Sequence, residues 1–191
     1  MAHCFWAEPP AYDECVMLKT WGVLTANTGQ VDSTELAHLA AQKWEATCKW
    51  GTPISSLSQL TALIREKPTE EASGMLLAGA EWFEPGIIGV CLFHRTWSNN
   101  IFLDFLAAHP ATIKPEEPIK GVGIGLLYLL CEISSQIGAP LIWGETTESS
   151  VIYYRKIFDL PELEDRLIVP AAALRSFCDQ IRRKWNIPEH S

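Results

Sequence analysis

From Met75 onward the chain alternates apolar runs with short Gly, Pro or Asn breaks. Met75 to Trp82 and Ile87 to Phe93 predict two strands. Phe83-Glu84-Pro85-Gly86 between them has the composition of a hairpin turn. Ser98-Asn99-Asn100 predicts the next turn, and Ile101 to Pro110 a third strand. That third run is apolar almost throughout, as a central strand should be, and Asp104 is its one internal charge. Three such strands in succession predict an antiparallel meander. The periodicity before the meander is helical. Asp32-Ser33-Thr34-Glu35 fits a capping box, and Leu36, Ala40, Trp44 and Cys48 recur every fourth residue up to Gly51. A second helix is expected from Ser56, with Gln59 three residues on, to a stop at Pro68. Lys67 to Gly74 reads as a polar linker. Residues 1 to about 30 carry the weakest pattern. Pro9 and Pro10 argue against a helix there, and Cys15-Val16-Met17-Leu18 reads as the start of a first strand.

After the meander the pattern changes period. Lys120-Gly121-Val122-Gly123-Ile124-Gly125 runs into the apolar helix that starts with Leu126-Leu127-Tyr128. Gly138-Ala139-Pro140 ends that helix, and Leu141-Ile142-Trp143 reads as a strand. Thr146 to Ser150 supplies cap residues for a helix through Tyr153, Tyr154 and Ile157. Strand, glycine turn, helix and strand in that order predict a βαβ unit. Arg166 to Val169 reads as a last strand. Pro170 suits the first position of a last helix, with Leu174, Phe177, Cys178, Ile181 and Trp185 as its apolar stripe.

The glycine turn is where this pattern meets chemistry. Backbone N–H groups can approach a ligand closely where there is no Cβ. A helix start adds unpaired donors and partial positive charge, which suits a phosphate or pyrophosphate. The dinucleotide fingerprint fails, because its third glycine falls on Leu126 and a loop with Pro115 and Pro118 precedes the turn. The P-loop pattern is absent.

Lys120-x-x-Gly123-x-Gly125 resembles the acetyl-CoA loop of the GNAT N-acetyltransferase superfamily, Gln/Arg-x-x-Gly-x-Gly/Ala. Ala107-Ala108-His109-Pro110 resembles the end of that family's preceding strand, and Tyr153-Tyr154-Arg155-Lys156 its Phe-Tyr-x-Lys helix. The three stretches occur in the family's order over the second half of the chain. Three departures accompany them: a long loop between Pro110 and Lys120, Thr147 where Asn is frequent, and Phe158-Asp159 where Gly-Phe is usual.

The resemblance implies one α/β (α+β) domain over residues 1–191, clearest over 75–160, with a mixed, mostly antiparallel sheet flanked by helices. The N-terminal helices would span about 33–67 and the C-terminal helix about 170–185. It also implies an acyl-CoA-dependent N-acyltransferase with acetyl-CoA as cosubstrate. Gly121, Val122, Gly123, Ile124 and Gly125 would give N–H groups to the pyrophosphate, and Lys120 would add charge. The strand edge at Ala107 and Ala108 would pair with pantetheine. Tyr154 is the candidate general acid for the leaving thiolate, or else a packing residue. Tyr153 should point elsewhere, since neighbouring helix positions do not share a face. Asp104 is the candidate base, or else a carboxylate that binds the acceptor or a structural ion pair. Glu81, Glu84, His94 and His109 are weaker alternatives. Direct transfer in a ternary complex is expected, because no Cys or Ser sits in a nucleophile motif. A GNAT-fold module that binds CoA or a protein without catalysis is the rival. A different nucleotide-dependent α/β enzyme is the more distant one.

Composition narrows this further. The chain has 191 residues and a net charge of −8, with 48% hydrophobic and 20% charged residues. That suits one domain with a sizeable core. The charge argues against nucleic acid as partner and is compatible with amines, on a small molecule or a protein. Six scattered cysteines without a C-x-x-C pair read as buried thiols, and no metal site is expected. No apolar run is long enough for a bilayer, and no signal peptide is seen, so no membrane partner and a cytoplasmic location are expected. A homodimer is compatible with the fold. The tryptophans are better assigned to packing than to an acceptor pocket.

Overall fold

A computed structural model describes residues 2–24, 27–84, 86–113 and 119–187. The order of elements is β1 (Ala2–Trp6), α1 (Tyr12–Lys19), α2 (Thr28–Trp50), β2 (Pro53–Ile54), α3 (Leu57–Glu66), β3 (Ala72–Ala80), β4 (Ile87–Arg95) and β5 (Ile101–Ala108). A 3-10 turn over Pro110–Ile113 follows. Then come α4 (Val122–Gln136), β6 (Leu141–Glu145), α5 (Glu148–Phe158), β7 (Arg166–Pro170) and α6 (Ala171–Trp185).

The strands form one seven-stranded sheet in the order β1-β3-β4-β5-β6-β7, with β2 also paired to β3. The pairs β2/β3 and β5/β6 are parallel and the rest antiparallel. The sheet is therefore mixed and mostly antiparallel, flanked by helices, as the fold class expected.

Strand alternation sorts the apolar side chains onto two faces. On one face Leu76, Phe93, Leu103, Ile142 and Val169 pack with Leu126 and Leu130 of α4, Tyr154 and Phe158 of α5, and Phe177 of α6. On the other, Leu77, Val90, Leu92 and Ala107 pack with Cys15 and Leu18 of α1 and Ala37 and Trp44 of α2. Arg95 is buried at the end of β4, and its guanidinium donates to the carbonyls of Pro68 and Glu70 and to Asn99 Oδ1.

The meander, α3, α5 and α6 follow their expected signals. Ser56 Oγ accepts from Gln59 N, and Thr147 and Ser150 form a capping box. Pro170 proves to be the N-cap of α6 rather than its first residue. Three expectations are corrected. Cys15 to Leu18 lies in α1, where Cys15 and Leu18 give a buried stripe; the first strand is Ala2–Trp6. α2 begins at Thr28, capped by Asn27, so Asp32-Ser33-Thr34-Glu35 is inside a helix rather than at its start. β3 begins at Ala72, within the expected linker. Pro85 of the β3–β4 turn and part of the loop before Lys120 lie outside the described residues. Among the described residues no helix is long and apolar enough to cross a membrane.

Candidate functional site

β5 and β6 are joined only at Ile101/Ile142, Phe102/Trp143 and Leu103/Gly144. Beyond Leu103 the strands part, and β5 continues alone on that side to Ala108. The opening forms a cleft of about 500 Å³. α2 lines it through Asp32, Ser33 and Leu36, α4 through its first turn, and α5 through Ser149, Tyr153 and Tyr154.

The floor of the cleft is the free edge of β5, and the hydrogen-bond phase decides which groups it offers. His109 N donates to Ile88 O at 2.8 Å, so His109 is bonded toward β4. In an antiparallel ladder bonded and non-bonded pairs alternate. Ala107, opposite Val90, therefore also spends its backbone groups on β4, while Ala108 and Leu106 turn theirs to the cleft. Ala107 lines the cleft but is not an edge donor. Ser33 Oγ donates to the Ala108 carbonyl, so of these two residues the free edge groups are the Ala108 N–H and both groups of Leu106.

One wall is the start of α4. Gly121 is the N-cap with φ +97°, a backbone region that disfavours a Cβ. No side chain caps this end. Gly125 N donates to Gly121 O at 2.8 Å, which closes the first turn. Val122, Gly123 and Ile124 therefore keep N–H groups without intrahelical partners. Gly121, Val122, Gly123 and Ile124 all line the cleft. Gly125 does not; a Cβ there would face Cys4 Sγ at 3.5 Å. Two of the three glycines are thus inside the helix rather than in a turn before it, and the expected donor set of 121 to 125 shrinks by Gly125. Lys120 is exposed and lies outside the lining.

The other wall carries two tyrosines. Tyr154 is 5% exposed, packed on Phe158, and its hydroxyl is pushed well above the ordinary phenol value, chiefly by burial. Tyr153 does not point elsewhere. It lines the same cleft, with its ring centroid 5.4 Å from that of Tyr154, and its hydroxyl is buried without a partner. Residues adjacent on a helix lie about 100° apart, so both can border a cleft this wide.

Asp104 sits at an irregularity of β5. Leu92 pairs with Phe105 and Phe93 with Leu103, so Asp104 is the residue skipped. Its carboxylate turns toward α2 and is 3% exposed. Lys43 Nζ lies 2.5 Å from Oδ1 and His94 Nδ1 2.9 Å from Oδ2. Asp104 is thus engaged on both oxygens and does not line the cleft. Among the described residues that do line it there is no cation, and Asp32, bonded to Ser149 Oγ, is the one anion. His109 is held between Trp21 and Phe83, its Nδ1 accepts from Ala111 N, and burial pushes its pKa down. No group of three or more metal-ligating side chains gathers among the described residues.

The sequence reading missed Leu106, Ser33, Asp32 and Tyr153. Ser33 and Asp32 carried a signal, two cap-type residues, but a local cap explained them. The edge role of Leu106 follows only from ladder phase, which no sequence shows.

No family model matches the chain, and no curated protein matches it in sequence. Solved structures match in fold. A GNAT-family acetyltransferase from Staphylococcus aureus Mu50 is 8% identical over 90% of this chain and 99% of that one, with a TM-score of 0.53. A GNAT-family acetyltransferase from Desulfovibrio desulfuricans, described as putative, is 12% identical over 88% and 96%, with a TM-score of 0.51. The structure of a KacTA–DNA complex is 9% identical over 94% and 99%, with a TM-score of 0.53. The chain spans about half the length of a nourseothricin acetyltransferase, at 20% identity over 44% of this chain and 48% of that one and a TM-score of 0.37. With the split β5/β6 pair, the glycine-started α4 and the mostly antiparallel sheet in place, this chain has the GNAT fold.

Proposed function

We propose that the protein is an acyl-CoA-dependent N-acyltransferase that moves an acetyl group to an amine of a small molecule or protein. One observation carries the reading: where β5 and β6 part, the cleft brings together the uncapped start of α4, the free edge groups of Leu106 and Ala108, and the Tyr154 side chain. These residues fit the cosubstrate. The N–H groups of Val122, Gly123 and Ile124 suit its diphosphate, and Gly121 allows the close approach. The edge groups of Leu106 and Ala108 suit its amide-bearing arm, as an added strand.

Bound acetyl-CoA supplies an activated thioester. The protein's own part is to hold it, to place an edge N–H beside the thioester oxygen and to protonate the leaving sulfur. Tyr154 is assigned that last role, because its side chain lines the cleft from α5. Lys120, exposed beside the loop, is assigned long-range attraction only. The net charge of −8 suits a cationic acceptor and does not favour nucleic acid. A cytoplasmic location belongs to the same proposal.

The non-catalytic rival draws on Asp104, which is engaged on both oxygens and does not line the cleft. Titration with acetyl-CoA, CoA, NAD and ATP, followed by thiol release over a panel of amines, tests both readings. Dose-dependent binding of acetyl-CoA with thiol release supports transfer. Binding without release from any amine supports the rival, and no binding of either CoA species at millimolar concentration overturns the cofactor assignment.

A further inference from the structure

The last helix brings an aromatic ring and unpaired cations to the start of α4. A Cβ on Gly121 would lie 3.9 Å from Trp185 Cζ2, so the Trp185 ring stands beside the residue that caps α4 and lines the cleft. Tyr128 meets that ring at 66° with centroids 6.5 Å apart, and Trp185 remains 41% exposed. Its packing on α4 therefore leaves aromatic surface bare next to the cleft.

Arg182, Arg183 and Lys184 precede the ring in sequence, and Lys120 precedes Gly121. Arg182 is held by Glu132 Oε1 at 2.5 Å and by Asp179 Oδ1 at 3.2 Å. Arg183 donates through Nε to the Asp179 carbonyl. Among the described residues Lys120, Arg183 and Lys184 have no ion-pair partner. The dipole of α6 accounts for cations at its end, but it does not account for an exposed tryptophan beside Gly121.

Helix geometry gives Lys184 and Trp185 different neighbours. Seven residues make about two turns of helix. Lys184 thus repeats the face of Phe177, whose ring meets Phe158 of α5 at 5.0 Å. Trp185 repeats the face of Cys178, whose thiol meets that of Cys131 on α4. Lys184 is therefore on the α5 side of α6 and Trp185 on its α4 side. Those are the two helices that wall the cleft where Gly123 and Tyr153 meet.

On the acyl-CoA reading of the cleft, on which this inference rests, the diphosphate sits on the N–H groups of Val122, Gly123 and Ile124. The amide-bearing arm leaves toward Leu106 and Ala108. The nucleoside is joined to the other end of the diphosphate and leaves past Gly121. We infer that the end of α6 is the nucleotide subsite, where Trp185 stacks on adenine and Lys184 holds the 3′-phosphate of the ribose. A purine presents a flat π-face to an indole. A phosphate monoester carries about −1.5 to −2 charge at pH 7 and accepts hydrogen bonds from an ammonium. Lys184 has a flexible stem and no ion pair of its own, so it is free to reach that phosphate. Arg183 and Lys120 add long-range attraction. This corner lets a chain of net charge −8 accept a polyanion. It also makes the protein select CoA thioesters over those of dephospho-CoA.

Calorimetry on the full chain with CoA, dephospho-CoA and adenosine 3′,5′-bisphosphate tests the subsite. CoA should bind roughly tenfold more tightly than dephospho-CoA, and the ratio should shrink as salt rises. Lys184→Gln should remove most of that factor for CoA and leave dephospho-CoA within about twofold. Trp185→Ala should weaken both ligands by about tenfold, and Trp185→Phe should recover part of the loss, which separates stacking from a damaged fold. Equal affinity of the wild-type protein for CoA and dephospho-CoA overturns the subsite and leaves acyl-CoA binding standing. A preference that survives Lys184→Gln overturns the assignment of the phosphate, and CoA affinity unchanged in Trp185→Ala overturns that of the base. Failure of both CoA and dephospho-CoA to bind overturns the acyl-CoA reading. In that case heat from adenosine 3′,5′-bisphosphate, lost in Lys184→Gln, still supports a nucleotide site at this end of α6, and no heat overturns it.

Discussion

The Tyr153 hydroxyl stands over Gly123 so closely that a Cβ on that glycine would fall 2.9 Å from it. The hydroxyl is buried and unpartnered, yet it shapes the helix start that the cleft depends on.

This contact sets up a double-mutant cycle. Gly123→Ala gains helix propensity, about 1 kcal/mol, but forces the Tyr153 ring away, and overpacking costs about 1–3 kcal/mol. Tyr153→Phe removes a buried hydroxyl that has no partner and should raise stability by about 1 kcal/mol. When Tyr153→Phe is already present, the Gly123→Ala penalty should shrink or change sign, a coupling of about 1 kcal/mol in urea unfolding. Additive effects within about 0.3 kcal/mol would show that the two sites do not touch.

Ser33 ties the first long helix to the end of β5, 75 residues away in sequence. Ser33→Ala should cost about 1 kcal/mol in urea unfolding with an unchanged m value, since one neutral hydrogen bond is lost and the freed carbonyl faces the cleft, where water can reach it. A loss above about 3 kcal/mol would mean that the bond organises the whole α2–β5 contact.

What the sequence revealed of this fold follows from the range of the forces involved. The meander, α3 and α5 were legible because their signals are local: alternation, caps and turn residues lie within the element itself. α1 was misread because a helix of eight residues with two buried positions, Cys15 and Leu18, carries almost no periodicity. The glycine stretch was legible as the start of a helix, though Gly123 and Gly125 fall inside α4, and Tyr154 as a position on α5. The use of the Ala108 carbonyl by Ser33, the edge role of Leu106 and the double engagement of Asp104 were not. Each depends on ladder phase or on a contact across tens of residues, as between Lys43 and Asp104.

If Tyr154 protonates the departing sulfur, Tyr154→Phe should lower kcat roughly 100-fold while leaving the KM for acetyl-CoA within about threefold, because only the transition state loses a contact. Steady-state thiol release measures both. Equal losses in binding and turnover would instead assign Tyr154 to packing against Phe158.

The buried hydroxyls and thiols also set how the protein meets alkali. In the fold, burial pushes Tyr153 and Tyr154 upward and carries the Cys15 thiol from 9.0 to about 12. A raised value means that the folded chain keeps a proton which the unfolded chain would release. That stability is fully present below the unfolded values, 9.0 for the thiol and 10.0 for the phenols. It is lost as pH climbs through the folded ones. Unfolding free energy should therefore stay level on this account to about pH 9 and fall steadily above it. Phenolate absorbance should confirm the sign: Tyr153 and Tyr154 should ionise only together with the loss of the far-ultraviolet helical signal. Ionisation of either in the folded protein near about pH 10, the ordinary phenol value, would mean that water reaches the hydroxyls. Tyr154 would still carry its proton near neutral pH, so that outcome would bear on its burial and not on its assignment as the acid.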